Sequence, residues 1–75
     1  MSGPEDFALR GEYITLDALL KATGLAGSGG DAKRLIAEGA VQVNGEAESR
    51  RGRKLRPGDE VQMVGRRVRI QAPDS

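Results

Sequence analysis

Five of the seven residues from Arg50 to Arg56 are basic, namely Arg50, Arg51, Arg53, Lys54 and Arg56. Arginine forks match phosphate oxygens two at a time, and contacts to phosphate supply most of the sequence-independent affinity for nucleic acid. A second group of the same chemistry lies earlier in the chain. Ser28, Gly29 and Gly30 open a candidate helix whose first amides can meet an anion, and Lys33 and Arg34 follow within a turn. If the two groups adjoin, they form one phosphate-tracking surface. The competing reading is a set of solvated hairpin charges paired with Glu46, Glu48 and Glu60.

Other chemistries lack their residues. Histidine and cysteine are both absent, which excludes disulfides, the usual zinc and haem ligands, thiol nucleophiles and imidazole bases. Glu46 and Glu48 have no histidine or apolar pocket in the nearby sequence to shift their acidity, so acid/base catalysis is not expected of them. Gly27, Gly29 and Gly30 are not followed by the Gly-Lys-Ser/Thr signature of a phosphate loop. A 75-residue chain buries only about 60% of its unfolded surface, too little for a deep catalytic cavity. The expectation is a protein that is not an enzyme and takes no metal, cofactor or small-molecule substrate. No apolar run approaches the roughly 20 residues that span a bilayer, and the start, with Glu5 and Asp6, is acidic, which predicts a cytoplasmic protein with no membrane partner.

The net charge of +1 conceals an asymmetry. Up to Ala32, two basic residues stand against five carboxylates, a balance of −3; from Lys33 onward, ten stand against six, a balance of +4. One basic face with an anionic partner follows from such a split. Phe7 and Tyr13 are the only aromatics, so no platform for stacking a single strand is expected, and the partner should be structured nucleic acid read by shape and backbone. Tyr13 reads as a core-edge residue before the first helix.

Two helices and several short strands must position these residues. Thr15 is a candidate N-cap, with Leu16, Leu19 and Leu20 on one face of a helix ended by Gly24. Ser28 caps a second helix, in which Ala32, Leu35 and Ile36 form the apolar stripe and Gly39 the stop. Val41 and Val43 alternate as a strand that turns at Asn44 and Gly45, with Glu46 to Glu48 as its return. Pro57 and Gly58 suit a type II turn, after which Val61 with Met63 and Val68 with Ile70 alternate in two further strands. The predicted architecture is α+β, two short helices packed on a small, mostly antiparallel sheet. Residues 1–10 read as a flexible leader in which Phe7 can fold back, 11–71 as the single domain and 72–75 as a flexible tail. The predicted core is Leu16, Leu19, Leu20, Leu35, Ile36, Val41, Val43, Leu55, Val61, Met63, Val68 and Ile70.

The ordered set Ser28, Ala32, Lys33, Leu35, Ile36, Gly39, Val41, Val43, Asn44 and Gly45, then Pro57, Gly58, Asp59 and Val61, resembles the S-four-type RNA-binding domain, or αL motif. With Gly29, Gly30, Ala37, Glu38, Glu48, Arg50 and Lys54 added, the run is similar to a small stand-alone bacterial branch, the YbcJ-like proteins. The resemblance covers Thr15 to Ile70. It implies a helix-turn-helix and hairpin that dock on folded RNA, whether ribosomal RNA, the ribosome or tRNA. Carried over by position, the contacts are Ser28, Lys33 and Arg34 on the second helix and Arg50, Arg51, Arg53 and Lys54 in the loop. Gly29 stands where many members carry arginine, so a phosphate contact is lost there unless backbone amides substitute. The alternative function is a protein–protein adaptor whose basic loop meets an acidic partner.

Overall fold

Local chemistry sets both ends of the second helix. In the computed structural model, which describes residues 5–63 and 65–73, α2 runs Gly29–Ala37. Ser28, extended at the N-cap, accepts a hydrogen bond on its hydroxyl from the Asp31 amide at 3.1 Å. At the other end Gly39 takes φ +78°, and the amides of Gly39 and Ala40 donate to the carbonyls of Ile36 and Leu35. This is the Schellman closure, in which a glycine adopts the left-handed conformation that a Cβ disfavours.

The first helix is shorter. α1 covers Leu16–Ala22 and buries Leu16, Leu19 and Leu20. Thr15 occupies the N-cap position but does not cap: its hydroxyl donates to the Asp17 carboxylate at 2.7 Å, leaving the first helical amides to other partners. The two helices pack on each other.

Among the described residues there are seven strands: β1 (Glu5–Ala8), β2 (Ile14–Thr15), β3 (Gln42–Val43), β4 (Glu46–Ala47), β5 (Lys54–Leu55), β6 (Glu60–Met63) and β7 (Arg66–Gln71). Five of them form one sheet in the order β1-β7-β6-β3-β4, in which only the β1–β7 pair is parallel. β2 and β5 form a separate antiparallel ladder. Register places Val43, Val61 and Val68 in one row across β3, β6 and β7, all buried, while Gln42, Gln62 and Arg67 in the next row face outward. The β3–β4 turn has positive φ at both Asn44 and Gly45, the primed hairpin geometry that matches strand twist. Asn44 then ties this turn to β6, accepting from the Glu60 amide at 3.0 Å and donating to Asp59 at 3.1 Å.

The fold class is as the sequence predicts: the sheet is mostly antiparallel, with the one parallel pair β1–β7, and a second small ladder stands beside it. The core differs at its margins. Leu35 and Met63 are half-buried, whereas Leu9, Ala26 and Ala32 join the buried cluster. The larger correction concerns the leader. Residues 1–4 lie outside the described residues, but Glu5–Ala8 is an edge strand, paired from Glu5 opposite Val68 to Ala8 opposite Gln71. Arg66 grips Glu5 with two 2.9 Å bonds, Gln71 donates to Asp6, and Leu9 is buried. These partners lie about sixty residues away in sequence, so no local periodicity announces the strand. Of the expected tail, Ala72 and Pro73 follow β7 in irregular backbone, and 74–75 lie outside the described residues.

A flexible leader would tolerate truncation of Leu9. Buried Leu9 predicts instead that Leu9→Ala lowers unfolding free energy by about 2–4 kcal/mol in a urea titration.

Candidate nucleic-acid interface

The basic loop is shaped by one carboxylate. Glu48 follows β4, its amide donates to the Val41 carbonyl at 3.0 Å, and the residue is only 8% exposed. Its two oxygens accept from the Arg50 amide and Nε, each at 3.1 Å, and from Arg53 Nη1 at 2.8 Å. The Arg50 guanidinium, then Arg53, then the Arg50 amide hold the carboxyl at a pKa of about 2, well below the usual carboxylate range. The trio of one anion and two cations carries a net +1.

The backbone of the same loop completes the first helix. The amides of Leu16 and Asp17 donate to the carbonyls of Arg53 and Arg51 at 2.9 and 3.0 Å. A helix start exposes amides that need acceptors, and here the loop supplies them in place of a side-chain cap. The β2–β5 ladder continues the join, setting Ile14 opposite Leu55 and Thr15 opposite Lys54. One residue further out, Tyr13 stands with 44% of its surface exposed. Lys54 Nζ lies 5.0 Å and Arg56 Cζ 5.9 Å from its ring centroid. The sequence reading placed Tyr13 at the core edge; it stands at the surface instead, because the next residue, Ile14, is the one that packs against the core.

On α2 the arginine is occupied. Arg34 bonds Asp31 at 2.6 Å and Glu38 at 3.3 Å, while the Gly27 amide and then Arg34 lower the Asp31 pKa. Ser28 directs its hydroxyl to the helix, and Gly29 is exposed with open space where a Cβ would stand. Lys33 is exposed and makes no ion pair among the described residues. The same holds for Arg51, Lys54 and Arg56.

The eight candidate residues therefore fall into three sets. Arg50 and Arg53 converge on Glu48; Arg51 and Lys54 project from the same loop; Ser28, Gly29, Lys33 and Arg34 lie on the helix. Among the described residues no side-chain hydrogen bond or ion pair links the helix set to the loop, and α1 is their common neighbour. The pairing with carboxylates that competed with the binding reading holds for Arg50 and Arg53, but not for Arg51, Lys54 or Arg56. Arg56 was not singled out as a contact from the sequence, although it closes the basic run beside Tyr13. Among the described residues no group of three or more histidine, cysteine, aspartate or glutamate side chains gathers that could hold a metal.

The Glu48 pKa has a definite sign for stability. The folded value, about 2, lies below the ordinary 4.5, so the stabilisation is present above pH 4.5 and is lost as pH falls toward 2. The urea midpoint of wild type should exceed that of Glu48→Gln at neutral pH, with the gap narrowing between pH 4.5 and about 2.

The S4 domain family matches residues 7–71. A Bacillus subtilis (strain 168) relative, named "Probable ribosome maturation protein RlbA", is 48% identical over 54 residues, 72% of this chain and 76% of its own. YbcJ of Escherichia coli (strain K12) is 40% identical over 60 residues, 80% of this chain and 86% of its own. The solution structure of YbcJ, described as revealing an αL motif involved in RNA binding, superposes with a TM-score of 0.71 at 38% identity, covering 96% of this chain and 92% of that one. With the family matched over most of its length and both relatives aligned across most of theirs, this chain belongs to the S4 domain family.

Proposed function

We propose that this chain is a non-enzymatic, cytoplasmic RNA-binding module that docks on structured RNA, ribosomal RNA foremost, through its basic loop and second helix. The observation that carries the reading is the division of the cations. Arg51, Lys54, Arg56 and Lys33 are exposed and, among the described residues, have no carboxylate to leave before meeting phosphate. Arg50 and Arg53 serve as shape. Each guanidinium has five N–H donors, and the bonds to Glu48 leave several of them free for a phosphate oxygen. Gly29 and Gly30 add the open start of α2. The name of the Bacillus relative supports the ribosome as the place, and the YbcJ structure supports RNA as the ligand.

The test is crosslinking and sequencing of RNA bound to the tagged protein in cells, with Lys33, Arg51, Lys54 and Arg56 all replaced by glutamine in the control. Ribosomal RNA fragments should be enriched in wild type and lost in the variant. Equal recovery from both would sink the assigned surface, and nuclease-resistant capture of an acidic protein would favour the adaptor. In vitro, about four phosphate contacts predict a slope of about −3 for log affinity against log salt, and a flatter slope in the variant.

A further inference from the structure

Tyr13 is the only large apolar side chain exposed among the described residues, and the fold does not let it withdraw. Ile14 packs against the core and pairs with fully buried Leu55, so the backbone on which the ring stands is fixed. Two cations lie at the ring, Lys54 at 5.0 Å and Arg56 at 5.9 Å, and neither has a carboxylate partner among the described residues. Lys54 directly follows Arg53, whose carbonyl, like that of Arg51, accepts an amide at the start of α1.

A flat exposed ring with unpaired positive charge around it fits a ligand that has a flat face and flanking negative charge. A nucleotide has both, in its base and its two phosphates. A fully paired helix presents phosphate but keeps its bases stacked inside, and an acidic peptide would engage the cations without using the ring. Resting on the RNA reading above, we infer that Tyr13 stacks one unpaired base of the bound RNA, with Lys54 and Arg56 on the phosphates either side of it. Stacking of a base on an aromatic side chain outweighs a single cation held over an exposed ring, so the base displaces the cations from the ring face toward its own phosphates. A single ring selects one splayed nucleotide, such as a bulge in a stem. Shape and phosphate then place the module, and Tyr13 selects where along the stem it stops.

Tyr13 is the only tyrosine and the chain has no tryptophan, so tyrosine emission reports this ring alone. The probe is a pair of synthetic RNA hairpins, identical except that one carries a single-nucleotide bulge. The bulged hairpin should quench the Tyr13 emission and bind about tenfold tighter than the paired one, the scale of one stacked base. Tyr13→Ala should lose that preference while binding the paired hairpin as wild type does, which also shows that it folds; Tyr13→Phe should retain it. An undiminished preference in Tyr13→Ala, or unquenched emission in wild type, overturns the stacking role and leaves the RNA reading standing. If neither hairpin binds wild type, or if binding is indifferent to replacing Arg51, Lys54 and Arg56 by glutamine, the RNA reading falls and the stacking role with it.

Discussion

Five cations within seven residues repel one another, and a loop of that composition keeps one shape only if something gathers its charges. Glu48 does this from the end of β4, where its own amide is fixed to Val41 and its carboxylate meets Arg50 and Arg53. The carbonyls of Arg51 and Arg53 accept the first amides of α1, so the loop and the helix start are a single unit. Neither can be rearranged without exposing amides or parting a nearly buried carboxylate from its arginines, and both changes are costly.

On the RNA-binding proposal, this arrangement separates the cations that hold the loop from those that would bind. On the proposed reading, the arginines already paired with Glu48 would keep the loop in place without reordering when RNA arrives, and the cations without an ion pair among the described residues would supply the long-range attraction. Ordering a flexible basic loop at the moment of docking would consume part of the binding energy, and a prearranged one avoids that loss. The second helix repeats the division, with Arg34 committed to Asp31 and Glu38 and Lys33 left to solvent. A net charge of only +1 is thereby compatible with the proposed cationic surface, because Glu48, Asp31 and Glu38 are paired with arginines.

What could be read from the sequence was what neighbours in sequence decide. Ser28 capping α2, Gly39 closing it, the Asn44-Gly45 turn and the alternating valines are all local, and each stands where predicted. Pairings across the chain were not legible. Glu5–Ala8 has a single half-buried aromatic and gains its place only from β7, sixty residues on. Glu48 reads from the sequence as a solvated or arginine-paired carboxylate; the arginine pairing holds, but its burial depends on where the strand after Asn44 and Gly45 delivers it. Tyr13 reads as a core-edge residue because it precedes the first helix, where hydrophobic staples sit; the β2–β5 ladder, invisible to two-residue periodicity, decides that Ile14 turns inward and Tyr13 outward. Arg56 acquires its partner ring by the same ladder.

The most direct measurement is lysine footprinting, because the chain has only three lysines and they divide cleanly. Lys33 lies on the proposed helix face, Lys54 beside the loop and Lys21 near the end of α1, all exposed. Acetylation would be compared between the free protein and the protein bound to ribosomal RNA. The account predicts that bound RNA protects Lys33 and Lys54 and leaves Lys21 as reactive as before. Protection of Lys21 alone, or equal reactivity of all three with and without RNA, would contradict it.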